Sequence, residues 1–243
     1  MNLSKEKNNE IIARQLKSLT QSFIPDLNFS TQEANYSLTN NPKNWQSDQQ
    51  VVIDLYQRIQ QSTPEADNSY WLTRTCTLLC WQPIYTAFVS IYGLNHVPDF
   101  NAFKQGRTGT EMHGICFLSN TLFTGKTEHL IQRVGKALGQ CFEYYRQLLD
   151  DAYRCRPHYM QALLGDMLLT ALLALKEHSP LPLSTSYILQ QSNPWLDAFE
   201  LPPPPSGSFK ITPDSEEIFY TRKSCCFVYK KTNGKLCHNC PRL

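Results

Sequence analysis

The chain has 243 residues, a formal net charge of +2, 41% hydrophobic residues and nine cysteines. That length supports a sizeable core as one large domain or two small ones, and the near-neutral charge excludes a broad nucleic-acid footprint. No N-terminal apolar run follows a basic start, so no secretory leader is expected. An odd cysteine count, with five of the nine scattered along the chain, argues against a complete disulfide framework and for a reducing cytoplasm.

Ile12, Leu16, Leu19 and Phe23 recur at helical spacing and predict one short amphipathic helix. A loop rich in Asn, Ser and Pro follows, up to about Trp45. Ser47 and Asp48 are the expected caps of a second helix carrying Val52, Leu55, Tyr56 and Ile59, stopped by Thr63-Pro64. A long apolar helical pattern runs from about Asp67 to Tyr92, with Pro83 expected to kink or break it.

Between Pro98 and Phe123 the texture changes. Phe100, Phe103, Ile115, Phe117 and Leu118 flank Gly106-Arg107-Thr108-Gly109-Thr110, which reads as two strands around a glycine-rich turn. As an anion cradle that turn lacks the strand–loop–helix order and the Lys-Ser/Thr ending of a P-loop. Helical periodicity resumes at Thr127 and continues to near Cys155; Pro157 starts the next helix, which ends near His178-Ser179-Pro180. The apolar stretches Leu78–Leu94 and Met160–Leu175 are broken by Gln82-Pro83 and by Asp166, so they read as core helices rather than membrane spans. A further short helix is expected over Ser186–Phe199.

Pro202 to Pro205, with Ser206-Gly207-Ser208, reads as a stiff spacer of roughly 12 Å. Beyond it Phe209-Lys210-Ile211 and Ile218-Phe219-Tyr220 look like short strands. The expected class is α+β, predominantly helical. A helical body (residues 1–201, strand pair near 98–123) leads through a linker (202–208) to a small tethered C-terminal module (209–243).

That module holds the chain's most specific signal: Cys225-Cys226, ten intervening residues, then Cys237-x-x-Cys240. Soft thiolates select zinc, copper(I) or iron–sulfur clusters. Structural zinc sites are commonly built from two Cys-x2–4-Cys loops, and adjacent cysteines in an extended segment point to opposite faces. The spacing therefore favours a cluster, which is wider than one ion, over zinc, and zinc over two structural disulfides. Asn233-Gly234 within the spacer is a hairpin signal. In a two-residue hairpin, however, Cys237 would fall opposite Lys230, about 13 Å from Cys226. The return strand must curl early, or the turn is of another kind.

This motif resembles that of the FhuF-like ferric siderophore reductases, which hold a [2Fe–2S] cluster on a terminal Cys-Cys-x10-Cys-x2-Cys. The resemblance is close over the last twenty or so residues only. It implies that Cys225, Cys226, Cys237 and Cys240 are the cluster ligands. It also implies a cytoplasmic one-electron reduction of a ferric siderophore that releases Fe(II), with the body binding the siderophore. Without a Gly-x-Gly-x-x-Gly fingerprint, bound NAD or FAD is not supported. Electrons would come from an external donor, ferredoxin-like or a reductase, and the inner membrane face is a candidate peripheral surface. Two other readings stay open, a zinc module supporting a partner-binding helical domain and a siderophore-handling protein with a non-catalytic cluster.

By residue type alone, Arg74, Lys104, Arg107, His113, Arg146 and Arg154 are candidates to line a siderophore cleft. Arg222, Lys223, Lys230, Lys231, Lys235 and Arg242 surround the cysteines, with no acid after Glu217. Such a run is a solvated face, or it raises a cluster's potential and attracts an acidic donor or an anionic chelate. Cys76, Cys80, Cys116, Cys141 and Cys155 read as packing residues, and His238 as solvent-facing or a proton donor.

Overall fold

The computed structural model describes residues 37–178, 183–212 and 217–243, together with 14, 16–18, 27 and 29. The chain is predominantly helical, with small two-stranded antiparallel sheets. The helix expected around Ile12 to Phe23 lies mostly outside the described residues, although Leu16 is buried in the core.

A 3-10 turn at Pro42–Asn44 leads into α1 (Trp45–Ser62), which buries Val52, Leu55, Tyr56 and Ile59 on one face. Asp48 does not cap it. The helix has already begun at Trp45, and the fully buried Asp48 carboxylate accepts from the Thr39 amide at 2.8 Å and the Tyr144 hydroxyl at 3.0 Å. A buried charge needs such partners.

Helix α2 (Asn68–Phe88) starts on a side-chain cap, Asp67 accepting from the Ser69 and Tyr70 amides at 3.1 and 3.4 Å. It runs through Pro83 and ends in a π-helical turn, Val89–Gly93. Proline has no N–H for the carbonyl four residues back. That carbonyl, Leu79 O, accepts instead from Gln105 Nε2 at 3.0 Å. A strand side chain thus repairs the ladder where the sequence suggested a break.

Strands β1 (His96–Pro98) and β4 (Leu122–Thr124) form one antiparallel pair. The longer pair is β2 (Phe103–Thr108) with β3 (Glu111–Phe117), carrying a register shift between Gln105 and Arg107. The turn is narrower than Gly106 to Thr110. Gly106 and Arg107 belong to β2, and Gly109 takes the left-handed conformation at φ 60°.

Helix α3 (Thr127–Tyr153) ends on Arg154 at φ 52°, α4 spans Pro157–His178, and α5 spans Thr185–Ala198. Helix α2 packs against α1, α3 and α4, and α5 closes over α3 and α4. Phe88 stacks on Trp195 at 4.1 Å within that core. Helix α4 is apolar and long enough to cross a membrane by composition, yet here it packs against α2 and α5. Strands β5 (Phe209–Ile211) and β6 (Ile218–Tyr220) pair antiparallel after the proline run. The chain from Thr221 onward is irregular, except for a 3-10 turn at Val228–Lys230.

Candidate functional site

Asp166, the one acid inside the apolar stretch of α4, receives the C-terminal segment. It is 2% exposed. Its Oδ1 accepts from the Tyr220 hydroxyl at 2.6 Å and the Lys223 amide at 2.8 Å. Its Oδ2 accepts from the Ser224 amide at 2.6 Å and also from the Ser224 hydroxyl. The chain is therefore clamped to α4 one residue before Cys225. Arg222 N–H donates to Asn239 O at 3.1 Å, which joins the approach to the first cysteine pair with the approach to Cys240.

The spacer is not a hairpin. Phe227 adopts φ 56°, Val228–Lys230 coil into a 3-10 turn, and Asn233 adopts φ 59°. Gly234 N–H donates to Lys231 O at 2.8 Å, and a Cβ on Gly234 would lie 2.1 Å from Val228 O. Coiling shortens the spacer where strands would have extended it. That removes the separation expected of a two-residue hairpin and brings Cys237 to Cys226. The coil is also latched to the body, by an ion pair between Lys230 and Asp67 and by the Thr232 amide on Glu65 at 2.8 Å.

All four C-terminal cysteines are free thiols. Cys226 Sγ and Cys237 Sγ lie 2.9 Å apart, Phe227 N–H points to Cys225 Sγ at 3.4 Å, and Cys240 is 2% exposed. Burial opposes ionisation of Cys226, but hydrogen bonds from Cys237 and the Val228 amide and the charge of Arg222 outweigh it and lower its pKa. Burial and the Cys226 contact push Cys237 up to about 11. The Arg222 Nε and Nη2 atoms beside these thiols are buried with no hydrogen-bond partner among the described residues.

Whether these residues fit a metal group turns on the donors and on that orphaned cation. Among the described residues, no three His, Cys, Asp or Glu side chains converge as the ligands of one ion. The Cys226–Cys237 approach of 2.9 Å is also shorter than the roughly 3.8 Å between two thiolates on one tetrahedral metal centre at about 2.3 Å each, be it a zinc or one iron of a cluster. Neither observation separates a zinc site from a cluster. Four soft donors on one short coil, amide N–H groups on the sulfurs of Cys225 and Cys226, and buried unpaired guanidinium donors do fit a sulfur-held group of net negative charge.

A cleft of about 210 Å³ opens beside Cys226. Helix α2 supplies Tyr70, Thr73, Arg74, Thr77, Trp81, Ile84 and Tyr85, α4 supplies Leu163, Asp166, Met167 and Thr170, and the C-terminal segment supplies Arg222, Cys226 and Val228. Of the six basic candidates only Arg74 lines it, paired with Glu111 at 2.9 Å. The other five lie elsewhere. Lys104 and His113 are on β2 and β3. Arg107 is bound to Asp54. Arg146 is held by Glu143 at 2.7 Å, Asp150 at 3.1 Å and Cys155 O at 2.8 Å, and Arg154 terminates α3.

Asp166, Trp81 and Tyr85 were not singled out from sequence as site residues. A lone acid in an apolar helix was the available signal for Asp166; nothing in the sequence separates Trp81 and Tyr85 from core aromatics. Cys76, Cys80, Cys116 and Cys155 are buried, with Cys76 and Cys155 sulfurs 3.9 Å apart, and Cys141 is half-buried. His238 is exposed, edge-on to Phe219. No family model matches the chain, and no solved structure matches it.

Proposed function

We propose that the chain is a cytoplasmic ferric siderophore reductase. Cys225, Cys226, Cys237 and Cys240 would hold a [2Fe–2S] cluster, which when bound supplies a one-electron reductant. The observation that carries this reading is adjacency: Cys226 belongs both to the four-thiol segment and to the wall of a cleft.

The substrate iron begins as Fe(III), a hard ion held by oxygen donors, and gains one electron that an external donor protein has lost. Fe(II) is held less tightly by the same oxygens. The chain's own residues bind and orient. Asp166 fixes the backbone ahead of Cys225, and Tyr70, Trp81 and Tyr85 line the same cleft as Cys226. Arg222 places positive charge against the thiolates, which favours their ionised form and the more reduced state of what they hold.

One feature favours a second reading. At 2.9 Å, Cys226 and Cys237 are near the geometry in which two thiols close to a disulfide, losing two electrons and two protons to an oxidant such as a pair of ferric chelates. Visible spectra of anaerobically purified protein separate the two readings. The reductase reading expects a red-brown protein that dithionite bleaches. Colour then returns on adding a ferric siderophore, as trapped Fe(II) appears. A colourless protein that iron and sulfide cannot reconstitute removes it, and a mass loss of two hydrogens on oxidation then selects the dithiol.

A further inference from the structure

We propose that Cys76 and Cys155 form a peroxide-responsive dithiol, a modification site in the helical body that closes to a disulfide and staples α2 to the α3–α4 connection. The pair is separate from the C-terminal thiols, and its chemistry does not depend on the reductase reading.

Cys76 lies on α2, and Cys155 lies in the short connection between Tyr153, the end of α3, and Pro157, the start of α4. The two residues are 79 apart in sequence, yet their sulfurs meet at 3.9 Å as free thiols. A disulfide holds its sulfurs about 2.0 Å apart. The remaining gap of about 2 Å lies within the sweep of two cysteine χ1 rotations.

The two sulfurs are chemically unequal. The hydrogen bond from Cys76 lowers the Cys155 pKa against burial, and the Arg146 guanidinium adds to it while Asp150 and Glu143 oppose. The same contact, followed by burial, pushes Cys76 well up. Cys155 is therefore the nucleophile and Cys76 the resolving thiol, the pairing that redox-sensitive cysteines use. Both are buried, so access sets the rate. Cys155 sits between exposed Arg154 and Arg156 in a connection, not inside a helix. Opening that connection, without unfolding the core, admits a molecule as small as hydrogen peroxide.

The Cys155 thiolate attacks one peroxide oxygen and breaks the O–O bond. Hydroxide leaves, takes up a proton as the first water, and Cys155 becomes a sulfenic acid. The Cys76 sulfur then attacks the Cys155 sulfur, and its proton leaves with the sulfenic hydroxyl as the second water. Two thiols and one peroxide give one disulfide and two waters, and a dithiol reductant reverses the closure.

The test treats the folded full chain with hydrogen peroxide, blocks the remaining thiols and maps tryptic peptides by mass. The expected product is a cross-link, two hydrogens lighter, that joins the peptide of Cys76 to that of Cys155 and is removed by dithiothreitol. Cys76→Ser should abolish it and let dimedone trap a sulfenic acid on Cys155. Cys80→Ser, one turn further along α2, should keep it. Closing so long a loop should raise Tm by roughly 5 °C or more in the parent protein and leave Cys76→Ser unmoved.

Cys76 and Cys155 still free after Cys226 and Cys237 have oxidised, a link to Cys80 instead, or no trapped sulfenic acid in Cys76→Ser overturns the assignment. So does an equal yield in urea, where chance pairing replaces the contact made by the fold. A cross-link with unchanged Tm removes the staple. The map of the parent protein decides by itself if a variant does not fold.

Discussion

Asp166 and Ser224 are joined twice across the helix–coil boundary, Oδ2 of the buried carboxylate accepting from both the Ser224 amide, at 2.6 Å, and the Ser224 hydroxyl. The residue after Ser224 is the first candidate ligand. The position of Cys225 and Cys226 thus depends on a side chain nearly sixty residues away in sequence.

Replacing Asp166 with alanine leaves the Lys223 and Ser224 amides and the Tyr220 hydroxyl without their acceptor. A loss of about 2–4 kcal/mol is expected. Hydrogen exchange should show it first at Lys223 and Ser224, together with faster proteolysis between the proline run and the C-terminus. Protection equal to that of the parent protein would show that the clamp contributes nothing.

Cys237→Ser removes the partner of Cys226 and, on the proposed function, a cluster ligand. Iron and acid-labile sulfide should fall to background, with loss of visible absorption. Cys141→Ser, in a half-buried packing position on α3, should keep both. Full iron content in Cys237→Ser would end the ligand assignment.

The latch between the coil and α2 should weaken in acid. Burial raises the Asp67 pKa, but the Lys230 ammonium and the Ser69 and Tyr70 amides outweigh it and hold the carboxyl below 3.8. The Thr232 amide, foremost, lowers Glu65 below 4.5. A carboxyl with a lowered folded pKa stabilises the folded form above its unfolded value, and that contribution disappears as pH falls through the folded value. Solvent screening keeps the Asp67–Lys230 pair under about 1 kcal/mol. Exchange at the Thr232 amide, corrected for its intrinsic rate, should become less protected from about pH 5 downward, and Asp67→Asn should flatten part of that slope. An identical slope in the variant would place the transition elsewhere.

Gln105 and Pro83 form a compensating pair. In Gln105→Leu the Leu79 carbonyl, which Pro83 cannot serve, loses its donor in a buried site. A loss of about 1–3 kcal/mol is expected in chemical denaturation. A neutral result would mean that α2 closes the gap by itself.

At Gly135 an added Cβ would sit 2.4 Å from Ala198 Cβ and 2.6 Å from Ala198 O. Gly135→Ala should force α3 and α5 apart and cost about 1–3 kcal/mol, seen as a lowered Tm. An unchanged Tm would show that the contact yields freely.

Most of the architecture could be read along the chain, because it follows from local signals. Helical periodicity delimits α1 to α5, prolines mark the start of α4 and the stop after α1, and alternation with turn residues marks β2, β3, β5 and β6. The four-cysteine spacing likewise singled out its own candidate ligands. What local signals could not supply was which distant groups complete each element. Pro83 announced a broken helix, yet Gln105 from another element repairs it. Asn233-Gly234 announced a hairpin, yet anchoring at Asp166, Asp67 and Glu65 accompanies a coil that brings Cys226 and Cys237 together. Six basic residues were equal by type, and only Arg74 came to face the cleft, because it alone of the six is carried on α2, which forms one wall of it. Residue type and spacing therefore determined the elements and the candidate ligand set, through local sterics and ligand softness. The cleft, the clamp and the charge beside the thiols were decided by tertiary structure, because buried polar groups must find partners wherever the packed chain offers them.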